Sequence, residues 1–201
     1  MTINTEITST RYDLRDELST QYSDTLLLNY FNRALRVLNS YLADFNSDWV
    51  LSLDSTTLLD GDNSIVLPGD FLTPRKVTSG TSNVLEKKNA LEMLETQTEG
   101  YTGPPEYYAI HKTNMIFDKE VSADIVINTY YNLKADTLVI DAAMPFEEQF
   151  NDSLRGVVVM MAKSRNSRDV VQDYAIYQFF QTAEAGKNLR RKYSPKVKTR
   201  Y

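Results

Sequence analysis

The densest chemistry in the chain lies in its last fifteen residues, Lys187 to Tyr201 (KNLRRKYSPKVKTRY), which hold seven Lys or Arg and no Asp or Glu. Guanidinium and ammonium groups at this density neutralise phosphates or grip an acidic protein groove. Arg190, Arg191, Lys192, Lys196, Lys198 and Arg200, with Tyr193 and Tyr201, are the residues that would do so. The plainer reading is a solvated helix end, because cations favour the negative terminus of the helix dipole. That accounts for residues near 187 to 192 but not for those beyond Pro195. The remaining residues, 1–186, carry 15 basic and 27 acidic side chains, a net charge of −12 within a whole-chain value of −5. An acidic body with a basic, aromatic-dotted tail implies a partner with an acidic surface.

Catalytic signatures are missing from the sequence. There is no GxxxxGKS/T loop, GxGxxG, HExxH or GxSxG, and so no sign of phosphate cradling, zinc hydrolysis or a nucleophile elbow. His111 is the one histidine, it falls in an expected strand, and it reads as a structural or surface residue. Asp60, Asp62 and Asn63 resemble the start of a calcium loop, but the loop's spacing and its closing Glu are absent, so a hairpin turn is expected. Glu147 and Glu148 read as helix N-terminal charges rather than an acid–base pair. With no cysteine in 201 residues, disulfides and thiolate metal sites are excluded. Neither an enzyme nor a cofactor is indicated.

At 42% apolar and 24% charged residues the body is globular. The first residues lack a basic segment followed by an apolar run, so no secretory signal is expected. The longest apolar run, Val157 to Ala162, is far short of the roughly 20 residues that span a bilayer, so a soluble protein made in the cytoplasm is expected, without a membrane partner. Thirteen tyrosines suit interfaces, although their strand-like clustering points first to a sheet and core.

Three regions must position these residues. Tyr12 to Tyr22 reads as a short opening helix. Ser23 or Asp24 then caps a longer one with a buried stripe of Leu27, Phe31, Ala34, Leu35, Leu38, Tyr41 and Leu42, and with Asn29, Asn32, Arg33, Arg36 and Asn39 on the opposite face. From about Asp48 to Leu138, short β-like runs alternate with turn chemistry. The segment WVLSL leads to a turn at Asp60–Asn63 and on to Ser64–Leu67. Lys76–Thr78 and Asn83–Leu85 flank a turn at Ser79-Gly80, Asn89 to Glu95 reads as one short helix, and Tyr107–His111 and Met115–Phe117 flank a turn at Thr113-Asn114. Ile125, Ile127, Thr129 and Tyr131 occupy one face of the clearest strand. Pro145 then opens a helix with the stripe Phe150, Leu154, Val157, Val158 and Met161, and Arg168 to Lys192 makes another. The expected fold is α+β: a helical bundle from residues 1–47 and 141–186, an inserted antiparallel β domain at 48–140, and the basic tail at 187–201.

With that order in place, the chain resembles the head-to-tail adaptor (connector) proteins of tailed bacteriophages, most of all the tail-tubular-A-like or gatekeeper type of short-tailed phages. The resemblance rests on the helix LLLNYFNRALRVLNSYL (Leu26 to Leu42), SIVLPGDFLTPRKV (Ser64 to Val77), PPEYYAIHKTNMIFDKE (Pro104 to Glu120) and IVINTYYNLKADTL (Ile125 to Leu138) before DAAMPFEEQF. It implies a homo-oligomeric ring of twelve subunits at the head–tail junction of the virion, between the portal protein and the tail nozzle or next tail component. It also implies a C-terminal extension that docks on the portal, and double-stranded DNA that passes through the lumen without sequence reading. The alternative is a nucleic-acid-binding protein acting through its basic tail, which predicts affinity that falls steeply with salt.

Overall fold

The computed structural model describes residues 2–19, 21–45, 47–97, 100–145, 148–163 and residue 178. The fold is α+β and divides into two compact units, Met1–Val50 with Lys134–Tyr201, and Leu51–Leu133.

In the helical unit α1 spans Ile3–Leu14, α2 Asp24–Asp44 and α4 Glu148–Lys163. The α2 helix starts where the sequence places it: the Ser23 hydroxyl accepts the Leu26 N–H at 3.2 Å and caps an orphan donor. Its whole expected stripe is buried, as is the Phe150, Leu154, Val157, Val158, Met161 stripe of α4. Ile3 and Ile7 of α1 close the same core. Each fully buried Leu or Phe here contributes about 1.5–3 kcal/mol.

Three expectations for this unit are corrected. The opening helix is Ile3–Leu14 and not Tyr12–Tyr22, because Arg15 turns left-handed (φ 57°) and its N–H closes the helix on the Tyr12 carbonyl. Asn39 is buried rather than on the outer face. Asn32 is occupied too: its amide donates to the Leu138 carbonyl at 3.0 Å and accepts the Leu138 N–H at 2.7 Å. That two-way clasp fastens the returning segment 134–145 to α2. A second tie joins the segment to the chain start, where the Ile3 N–H donates to the Ala142 carbonyl at 2.9 Å.

The β unit holds β1 (Leu51–Leu58), β2 (Ser64–Val66), β3 (Phe71–Ser79), β4 (Asn83–Val84), β5 (Glu86–Lys87), α3 (Ala90–Gln97), β6 (Tyr107–His111), β7 (Asn114–Phe117) and β8 (Ile125–Leu133). They form two four-stranded sheets, β1-β8-β3-β4 and β2-β7-β6-β5. Leu58, Val77 and Ile127 from the first sheet meet Ile65, Tyr108, Met115 and Phe117 from the second in one apolar core. On the other face of the second sheet, Ala109 and Ile116 pack against Met93 of α3. Of the β8 residues expected to share one face, Ile127, Thr129 and Tyr131 are buried.

The turn at Asp60–Asn63 does not close a hairpin. It carries the chain from one sheet to the other, since β1 pairs with β8 along all eight residues and β2 with β7. The sheet is not wholly antiparallel either, as β5 runs parallel to β6. The β6–β7 loop is Lys112-Thr113, with His111 and Asn114 paired across it and Lys112 at φ 57°.

Candidate functional site

The turn between α1 and α2 is built around a buried ion-pair network. Asp16 is 4% exposed and accepts the backbone N–H groups of Gln21, at 3.1 Å, and Tyr22, at 2.9 Å. The buried Arg11 guanidinium donates to Asp16, to the Tyr22 carbonyl at 2.6 Å and to Asp24 of α2 at 2.5 Å. Charge-assisted bonds of this kind fix the loop backbone. The Tyr22 hydroxyl donates to the Ala162 carbonyl at 3.2 Å and sets the turn against the last turn of α4. The side chain held outward by this scaffold is Leu18, 87% exposed. An apolar group on a rigid turn loses little conformational entropy on binding, which suits contact with another protein.

Arg155 of α4 gathers three carboxylates. Its Nη2 donates to Asp152 at 2.8 Å, Nε lies 3.2 Å from Asp13, and Nη1 lies 3.6 Å from Glu6. Glu6 and Asp13 are two helical turns apart on α1 and share a face. Glu6 is fully buried and 3.6 Å is too long for a hydrogen bond, so the charge is compensated at a distance only. Burial raises the Glu6 carboxyl above its ordinary 4.5, with Arg155 opposing and Asp152 adding to the rise. The arrangement is a structural cross-brace between α1 and α4.

In the β unit, backbone bonds and one carboxylate from outside the turn, that of Asp124, organise the Asp60–Asn63 turn. The Gly61 N–H (φ 81°) donates to the Val121 carbonyl at 2.8 Å, and the Val121 N–H returns to Asp62 at 3.0 Å. Asp124 accepts the Asp60 N–H at 2.9 Å. Among the described residues no group of three or more His, Asp or Glu is placed to hold a metal ion. His111 sits exposed at the end of β6. A cavity of about 370 Å³ beside α3 is lined by Met93, Tyr101 and Tyr107 together with Lys88, Glu106 and Lys119. Both its lysines are already engaged: Lys119 Nζ donates to Glu106 at 2.6 Å, a bond that raises the lysine above its usual value, and Lys88 stacks over the Tyr107 ring at 4.7 Å. The buried Asp118 carboxylate accepts the backbone N–H groups of Glu106 and Tyr107, each at 3.0 Å.

The sequence-predicted docking residues Arg190, Arg191, Lys192, Tyr193, Lys196, Lys198, Arg200 and Tyr201 lie outside the described residues. So does the expected helix from Arg168 to Lys192, apart from residue 178, which is helical. Sequence reasoning missed the Arg11–Asp16 scaffold and the Leu18 it presents. The one signal for it was an isolated leucine between charged residues in RDELST. Among the described residues no helix is long and apolar enough to cross a membrane.

A presented apolar side chain, helices cross-braced by ion pairs and no metal-binding cluster among the described residues suit a structural interaction protein. The profile of the SU10 adaptor protein family matches residues 1–200, and the chain belongs to that family. It is thus a phage structural adaptor and a component of the virion. Comparison with curated proteins returned no match.

Proposed function

We propose that the chain forms a ring between the portal and the tail of a short-tailed phage, as a gatekeeper-type adaptor, and gives DNA a conduit for retention after packaging and for ejection. In this reading the helical bundle builds the ring wall, the β-rich insertion faces the nozzle or next tail component, and residues 187–201 dock on the portal. The observation that carries it is the adaptor family match along the whole body and tail, residues 1–200. The charge distribution supports it: residues 1–186 have a net charge of −12, so passing phosphates are repelled rather than held, while the tail's seven cations suit an acidic portal groove. A ring of twelve copies is the expected stoichiometry.

The test mixes the purified chain with its portal, with and without residues 187–201, and images the products by electron microscopy. The full chain should add a ring of density beneath the portal, and the truncated chain should fail to dock. A complete ring formed by the truncated chain would remove the tail from the docking role. If the tail instead serves nucleic acid, duplex DNA should bind the full chain with affinity that drops steeply with salt.

A further inference from the structure

The sandwich of the β unit has two lateral rims. β1 and β2, joined through residues 59–63, form one, and β4 and β5, separated by Leu85 alone, form the other. Three of these four edge strands are two or three residues long, and short edges offer little free backbone. β1 is different. It runs for eight residues, pairs on one side with β8, and its sequence LSLDSTTL holds no proline, lysine or arginine to discourage an added strand. Apolar side chains stand exposed on both rims: Leu53 at 52% and Val66 at 70% on the first, Val84 at 57% on the second.

Charge separates the rims. Residues 51–66, which make the β1–β2 rim, carry Asp54, Asp60 and Asp62 and no Lys or Arg. Residues 75–88, which run from β3 through β4 and β5, carry Arg75, Lys76, Lys87 and Lys88 against Glu86 alone. Two like rims brought together would oppose like charges. An acidic rim set against the basic rim of another copy pairs unlike charges, covers Leu53 and Val66, and extends the β1 edge.

We propose that a second copy of this chain docks head to tail on the β unit, the β1–β2 rim of one copy against the β4–β5 rim of the next. The contact is heterologous, the kind that closes into a ring when the rotation between copies allows it. The inference rests on the ring reading above and names the surfaces that join neighbours.

The chain has no cysteine, so engineered thiols report without background. Thr57→Cys on β1 and Val84→Cys on β4 are made as separate full-length chains, mixed, and treated with a short bismaleimide, free at rising concentration and bound to the portal. The mixture should give cross-linked dimers, neither variant alone should, and a chain carrying both should give a ladder. Lys87→Glu should lower the yield several-fold, and Asp62→Lys on the opposing chain should restore it. Portal-bound rings visible by electron microscopy but without 57–84 products would overturn the rim contact and leave the ring reading standing. Self-linking of Thr57→Cys alone would also overturn it, in favour of a two-fold contact. Absence of any ring on the portal would sink the ring reading itself.

Discussion

The helical unit and the β unit are stabilised in different ways. In the helical unit an ion-pair cluster links distant parts of the chain, Arg155 reaching Glu6 and Asp13, while Arg11 closes a local turn on Asp16 and Asp24. In the β unit the buried carboxylate Asp118 is satisfied by backbone N–H groups within 12 residues of it, and the sheets close over an apolar core. The contrast follows from chain order. The helical unit is assembled from two separated stretches and must find its register across an intervening unit, whereas the β unit is one continuous run, 51–133. Directional ion pairs fix how helices from distant stretches meet; strand register does that work in the sandwich.

The largest effects should come from the two cores. Phe31→Ala and Phe117→Ala each remove a fully buried ring and should cost about 3–5 kcal/mol. Hydrogen exchange should show the first loosening the helical unit and the second the β unit. Equal loosening of both by either substitution would mean that the units do not unfold separately. Next, Arg155→Ala strands the buried Glu6 carboxylate and should cost about 2–4 kcal/mol in denaturant titration near pH 7. A loss under 0.5 kcal/mol would show that the brace is dispensable.

Glu6→Gln gives a subtler reading, in pH. A carboxyl whose folded value lies above its unfolded one binds more protons when folded, so its contribution falls as pH rises from about 4.5 through the folded value. The wild type should therefore gain on Glu6→Gln as pH is lowered toward 4.5, and the gap should be flat at neutral pH and above. An opposite slope would mean that Arg155 outweighs burial. Smallest of all, Lys119→Gln in the β unit should cost within about 0.5 kcal/mol, because the pair with Glu106 is partly exposed. Its raised folded value places that small contribution below the ordinary lysine range and removes it as pH rises into the strongly alkaline region.

What the sequence discloses depends on how local the cause is. The stripes of α2 and α4 and the inward face of β8 are periodic patterns within one element, and they were legible residue by residue. The opening helix is also written in Ile3, Ile7 and Leu14 at helical steps, but the charged YDLRDEL run carries a helix-like pattern past the point where Arg15 turns left-handed. The pairing of β1 with β8 was not legible, because it joins residues some 70 positions apart and turn chemistry at Asp60–Asn63 cannot say which strand lies alongside. The role of Asn32 was hidden for the same reason: a polar residue on an outer face looks solvated until a distant backbone is laid over it. The blocks of charge at 51–66 and 75–88 can be counted in the sequence. Only the strand order sets them on opposite rims.

The β1–β8 ladder also has a mechanical meaning. The chain leaves the helical unit at Leu51 and returns at Leu133, and Leu51 lies opposite Asn132, so both crossings sit at one end of a paired ribbon. Tension between the units would draw both strands in the same direction, leaving their mutual bonds unloaded. The load would pass sideways into the long β8–β3 pairing, whose bonds run across the strands and would be sheared together rather than peeled one by one. A structural adaptor is well served by a joint that shares load in this way.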